Sequence, residues 1–147
     1  MQELDSISGL QRSLSAGRFT VTAEVSPPVS AHPAAFIAGA LPLKGLATAL
    51  NVTDGAGARV HMSSLAAAHF LLQNGMELVL QLAMRDRNRI ALQSDLLGAA
   101  ALGIRNILVV RCAEASIQSN NPKWSFSFIS APTTQSRRRR SGSRSRS

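Results

Sequence analysis

The residues able to do chemistry fall in three short clusters. Glu24 closes the apolar and β-branched run Phe19–Val25, just ahead of Ser26-Pro27-Pro28. A carboxylate flanked by apolar residues at a strand end is expected to be partly desolvated, an environment that suits general-acid work. An ordinary strand-end salt bridge fits the same position. The second cluster is Asn51-Val52-Thr53-Asp54-Gly55-Ala56-Gly57, whose small residues let a ligand approach the backbone closely. A dinucleotide fingerprint needs GxGxxG, but Val60 stands third after Gly57, so the motif is incomplete and a plain turn fits better. The third cluster pairs Gln81 with Met84-Arg85-Asp86-Arg87-Asn88-Arg89. Three arginines around one aspartate hold a phosphate or carboxylate at a helix start, or pair among themselves in solvent.

The other reactive side chains offer less. His61 and His69 are eight residues apart on one expected helix, two turns distant and too far to share a metal. His32 precedes a proline, and Cys112 is the single cysteine, so no disulfide framework and no multi-cysteine metal site is expected. No metal site and no Ser-His-Asp or Cys-His arrangement emerges.

The elements that must position these clusters alternate between two textures. Strands are expected at Phe19–Val25, Ala47–Thr53, Leu78–Met84 and Asn106–Val110, each closed by turn-forming or helix-starting residues. Helices are expected at Ala34–Leu43, Met62–Gln73 and Asn88–Leu102. In the last of these, Ile90, Leu97 and Ala101, with Ile104 just beyond, follow helical spacing. The strand ends near Glu24, Thr53, Leu82 and Val110 lie 29, 29 and 28 residues apart. That rhythm means α/β architecture built from parallel (β/α) units. A doubly wound sheet and a (β/α)8 barrel both fit it.

Length and charge set the outer bounds. A chain of 147 residues suits one domain. Residues 1–110 hold 8 basic and 7 acidic side chains, whereas 111–147 hold 8 basic and 1 acidic, so the net charge of +8 belongs almost wholly to the tail. That tail has 10 serines and no Leu or Val, a composition expected to be disordered. Its only periodicity is a Ser/Phe alternation at Trp124–Phe128. No secretory signal and no membrane-length apolar run is apparent, so a cytoplasmic protein without membrane contact is expected.

Three segments together resemble the methylenetetrahydrofolate reductase family: FTVTAEVSPP at 19–28, NVTDGAGARVHMSSLAAA at 51–68 and QLAMRDRNRIALQSDLLGAAALGIRNILVV at 81–110. The third is similar to the bacterial branch that carries RDRNR. The resemblance covers roughly residues 8–110, the N-terminal half of that family's catalytic domain. It implies a (β/α)8 barrel, of which this chain would hold four units, a half barrel, over 1–110, with 111–147 a separate Ser/Arg-rich tail. It also implies FAD at the carboxyl ends of the strands, NAD(P)H as reductant, and reduction of 5,10-methylenetetrahydrofolate to 5-methyltetrahydrofolate. Glu24 matches the family's general acid, which helps open the folate's five-membered ring. Thr53 matches a threonine near flavin and nicotinamide, Asp54 and Ala56 fall on flavin-contact positions, and Gln81 stands where many members have a flavin-facing histidine.

At the fourth strand the resemblance ends, because the family's Gly-Asp is replaced by Arg111-Cys112. The Ser/Arg-rich ending suggests a frameshifted or truncated product, inactive alone. A half barrel leaves two open strand edges and one uncovered apolar face, so self-association or pairing with a C-terminal half is expected. A different class of function, non-specific nucleic-acid binding, would rest on Arg137–Arg140, Arg144 and Arg146. A solvated charge run accounts for those arginines without any specific nucleic-acid partner.

Overall fold

A computed structural model describes residues 7–112 and 124–130. The chain opens with a short helix, α1 (Gly9–Ser15), followed by β1 (Thr22–Val25), α2 (Ala34–Ala40) and one 3₁₀ turn at Leu41–Leu43. It continues through β2 (Ala49–Val52), α3 (Ser64–Gln73), β3 (Leu78–Ala83), α4 (Arg89–Ala101) and β4 (Asn106–Cys112), and β5 (Trp124–Ser130) completes the described residues. Local signals explain the helix boundaries. Ser63 and Asn88 accept from the backbone N–H groups of Ala66 and Ala91, capping α3 and α4. Gly75 and Gly103, both left-handed, stop the same helices.

Strands β1 to β4 are parallel and lie in sequential order, β1-β2-β3-β4. A doubly wound sheet reverses its strand order partway, and no reversal occurs among these strands. The unit is therefore a singly wound, partial α/β sheet, TIM-barrel-like in the order of its four parallel strands.

Alternation along each strand splits the sheet into two faces. Leu50, Val52, Leu78, Leu80, Leu82 and Ile107 point to the helical side, where they pack with Ala67, Ala68 and Leu71 of α3 and Ala99 of α4. Leu71, Leu80 and Leu82 are fully buried there, each supplying about 1.5–3 kcal/mol of apolar burial. The opposite face carries Ala49, Val79 and Leu108 low on the sheet and Glu24, Asn51 and Gln81 higher up.

Helix α1 covers the lower part of that second face. Leu10, only 3% exposed, sits on Ala49 and Val79 with Leu108 alongside. The helix is held by residues distant in sequence. Glu77 accepts from the backbone N–H groups of Gly9 and Leu10 at 2.9 and 2.6 Å. Buried Asn106 accepts from the Ser8 hydroxyl at 2.7 Å and donates to the Leu78 carbonyl at 3.0 Å. A Cβ on Gly9 would lie 2.5 Å from Glu77 Oε2. Gly9→Ala would normally strengthen a helix by about 0.5–1 kcal/mol. Here it displaces a charged cap worth about 1.5–3 kcal/mol. Urea denaturation should therefore show a net loss of about 1 kcal/mol, and an equal or higher midpoint would mean the Glu77 cap contributes little.

Two expectations change. The segment expected to be disordered contains β5, which pairs antiparallel with β4 from Asn106↔Ser130 to Cys112↔Trp124. The Ser/Phe alternation at Trp124–Phe128 was its only trace in the sequence; the rest of the tail, 113–123 and 131–147, including Arg137–Arg140, lies outside the described residues. Second, among the described residues two strand edges remain, but they are β1 and β5 rather than β1 and β4, and the inner face is not uniformly apolar and uncovered, because α1 packs on Ala49 and Val79 while Glu24, Asn51 and Gln81 make the rest of it polar. The spacing of Ile90, Leu97 and Ala101 marks α4 as a helix, and in the structure that stripe faces outward, with Ile90 71% and Leu97 73% exposed. Burial falls on Ala99 and, in part, on Ala91, Leu92 and Gly98.

Candidate functional site

The carboxyl ends of β1, β2 and β3 open into a cleft of about 530 Å³. Glu24, Thr53, Asp54, Ala56 and Gln81 all line it, together with Gly55, Gly57, Ala58, Ala83, Arg85 and Val110. Five residues singled out across 57 positions of sequence are thus brought to one surface.

Glu24 belongs to β1 and projects from the inner face, with Gln81 of β3 its hydrogen-bonding neighbour: Gln81 Nε2 donates to Glu24 Oε2 at 3.5 Å. The carboxylate is exposed rather than desolvated, because among the described residues only α1 covers this face and it reaches the lower strand positions alone. Gln81 is a neutral partner for either protonation state. Its amide N–H donates to a carboxylate, and its carbonyl accepts from a carboxylic acid.

Thr53 lies just past β2 and is buried; its hydroxyl donates to Ser26 Oγ at 3.1 Å, tying the β2 end to the connection after β1. Asp54 is positioned differently from a simple ligand contact. Its Oδ2 accepts from the Ala83 N–H at 2.8 Å and is gripped by Arg87. Arg87 also donates to the Ala83 carbonyl at 3.1 Å and to Asp95 of α4 at 2.9 Å. The Asp54 side chain, 11% exposed, is therefore committed to locking the β2 and β3 ends together, and backbone is what it offers the cleft. Burial alone would lower the Arg87 pKa, but the hydrogen bonds and charges of Asp54 and Asp95 outweigh it and raise it, so Arg87 stays cationic.

These bonds settle how the arginine cluster is used. Arg85 pairs with Asp86 at 2.9 Å and, chiefly through that hydrogen bond, holds the exposed Asp86 carboxyl below its ordinary range. Arg87 bridges two aspartates, and Asn88 caps α4. The self-paired helix start is the arrangement present.

The wall opposite Glu24 is backbone with little side chain. Gly55 and Gly57 are left-handed, and a Cβ on either would meet nothing within 4 Å. Ala56, Ala58 and Ala83 add only methyl groups. His61, for which the sequence suggested no role, lies in the loop before α3 rather than on the helix. Its Nδ1 is 2.8 Å from the Pro27 carbonyl and its Nε2 is 3.3 Å from the Ala56 carbonyl. No local pattern signals this, since both partners are backbone atoms of other loops. Among the described residues no cluster of His, Cys, Asp or Glu is placed to hold a metal, and no helix is long and apolar enough to cross a membrane.

The model of the methylenetetrahydrofolate reductase family matches residues 9–128. The chain belongs to the methylenetetrahydrofolate reductase family. The match runs beyond Val110, where the sequence resemblance ended, and takes in most of β5. A search of curated proteins finds no match. Membership in the methylenetetrahydrofolate reductase family supports an oxidoreductase of one-carbon metabolism, and members of the family are generally flavin-dependent.

Proposed function

We propose that the cleft is the flavin and folate site of a methylenetetrahydrofolate reductase domain that uses NAD(P)H as reductant. The observation that carries the reading is the convergence of Glu24, Thr53, Ala56 and Gln81 on one cleft within a chain of that family.

The residues present suit a flat heteroaromatic ring. The cleft volume falls in the range of about 300–1,000 Å³ usual for ligand sites. The Gly55–Ala58 wall lets a ring lie against backbone, and Thr53 and Gln81 supply a hydroxyl and an amide for its polar edge. FAD, when bound, would pass hydride from NAD(P)H to the folate. Glu24 would hold the proton delivered to the folate amine as the five-membered ring opens, with the Gln81 amide orienting its carboxyl in either state. Ala83 and Val110 would exclude water from one side, and the Asp54–Arg87–Asp95 bridge would keep the strand ends at fixed spacing.

The four parallel units build one side of the cleft, and in this reading turnover requires the strands that complete a barrel. Self-pairing or a separate C-terminal half would provide them. The test is to assay the full chain alone and mixed with a polypeptide supplying the family's later strands, each with FAD, NADH or NADPH and methylenetetrahydrofolate. The reading expects 5-methyltetrahydrofolate from the mixture only. Product from neither would overturn the assignment, and product from the chain alone would overturn the need for completion.

A further inference from the structure

We propose that His61 is a positioning residue whose ring ties the Pro27 carbonyl to the Ala56 carbonyl and so fixes the two loops that wall the cleft. The functional half of this inference rests on the flavin reading above; the tie itself does not.

The two loops have different anchors. The connection after β1, which follows Glu24, is joined to its neighbour by Thr53 Oγ1 donating to Ser26 Oγ at 3.1 Å and by the Met62 N–H donating to the Pro28 carbonyl at 2.8 Å. Neither bond reaches Gly55–Ala58, the stretch that faces the cleft. The imidazole of His61 does reach it, at Ala56. A carbonyl only accepts, so a ring nitrogen bonds to one only when it carries a hydrogen. The Nδ1–H form serves Pro27, and the doubly protonated ring serves Pro27 and Ala56 together.

This stretch needs such a restraint. Gly55, Gly57 and Ala58 are all left-handed, and Ala58 has a φ of 55° despite its Cβ. A left-handed non-glycine residue is strained, because its Cβ crowds the following carbonyl oxygen. Such a conformation persists only where the surroundings hold it. The turn's own bonds, Ala58 N to Gly55 O at 3.0 Å and Arg59 N to Ala56 O at 3.4 Å, close it locally without fixing it to the rest of the protein. His61 provides the external attachment while staying behind the rim, absent from the cleft lining itself. It acts on a ligand through Ala56.

The experiment compares the full chain with His61→Leu and His61→Gln by hydrogen exchange and FAD titration. Leu fills the space but donates nothing, whereas the Gln amide carries two N–H donors and no charge. The Leu variant should exchange the amides of residues 55–62 up to about tenfold faster, as expected for losing the ring's hydrogen bonding to the loop carbonyls. Its FAD affinity should fall by a similar factor, and Gln should restore both to within about threefold. Unchanged β3 exchange in all three proteins shows that the fold is intact. Equal exchange at 55–62 in the Leu variant would overturn the tie. Faster exchange with unaltered FAD affinity would overturn the positioning role. A parent chain that binds no FAD would count against the flavin reading, and exchange would still decide whether His61 ties the loops.

Discussion

Glu24→Gln should lower methylenetetrahydrofolate reduction by the completed enzyme by about 10²–10⁴-fold, the usual contribution of a positioned general acid. Electron transfer from NAD(P)H to an artificial dye should stay within about twofold, because that half-reaction protonates no folate nitrogen. The variant is a clean probe. Glu24 is exposed and makes one long bond to Gln81, so the substitution removes a titratable proton without disturbing the core. Stability should change by less than about 0.5 kcal/mol. Steady-state assays of both half-reactions decide the matter: equal folate reduction by variant and parent would remove Glu24 from the chemistry. A loss of both activities together would point to a damaged flavin site instead.

Arg87→Leu should be the most destabilising of the substitutions considered, by about 3 kcal/mol, because it strands two carboxylates that one guanidinium now serves. Asp54 is 11% and Asp95 31% exposed, so solvent relieves the second more than the first. Lysine should not substitute well. A single ammonium cannot span Asp54, Asp95 and the Ala83 carbonyl as the planar fork does. Adding Asp54→Asn to Arg87→Leu should recover part of the loss, since the amide oxygen still accepts from Ala83 N–H and only Asp95, the more exposed of the two carboxylates, is left without its guanidinium. Urea denaturation of the single and double variants measures this. A single variant within 0.5 kcal/mol of the parent, on the scale of an exposed pair, would show that the bridge contributes only what surface ion pairs do.

The order of strands and helices was legible because each (β/α) unit carries its own period and turn residues. That Glu24, Thr53 and Gln81 would share one surface was legible because the carboxyl ends of parallel strands lie side by side, and all three stand near such ends. Helix α1 was not, since its seven residues are held by Glu77 and Asn106 from far along the chain. Strand β5 was hidden within serine-rich sequence whose composition argued against order. The α4 spacing identified the helix without saying which side packs; here Ala99, with Ala91, Leu92 and Gly98 in part, is buried and Ile90 and Leu97 are not. The role of Asp54 depended on where Arg87 lands, 33 residues away, and nothing in the local sequence fixes that.

The central claim is that the cleft above β1–β3 receives the flavin. Its most direct test is an FAD titration of the full chain beside Ala83→Phe, which places a phenyl ring in the cleft from a strand that tolerates aromatic residues. The account predicts saturable binding of one FAD per parent chain and at least about a tenfold loss of affinity in the variant, as the blocked contacts imply. No binding by the parent, or equal binding by both, would contradict it.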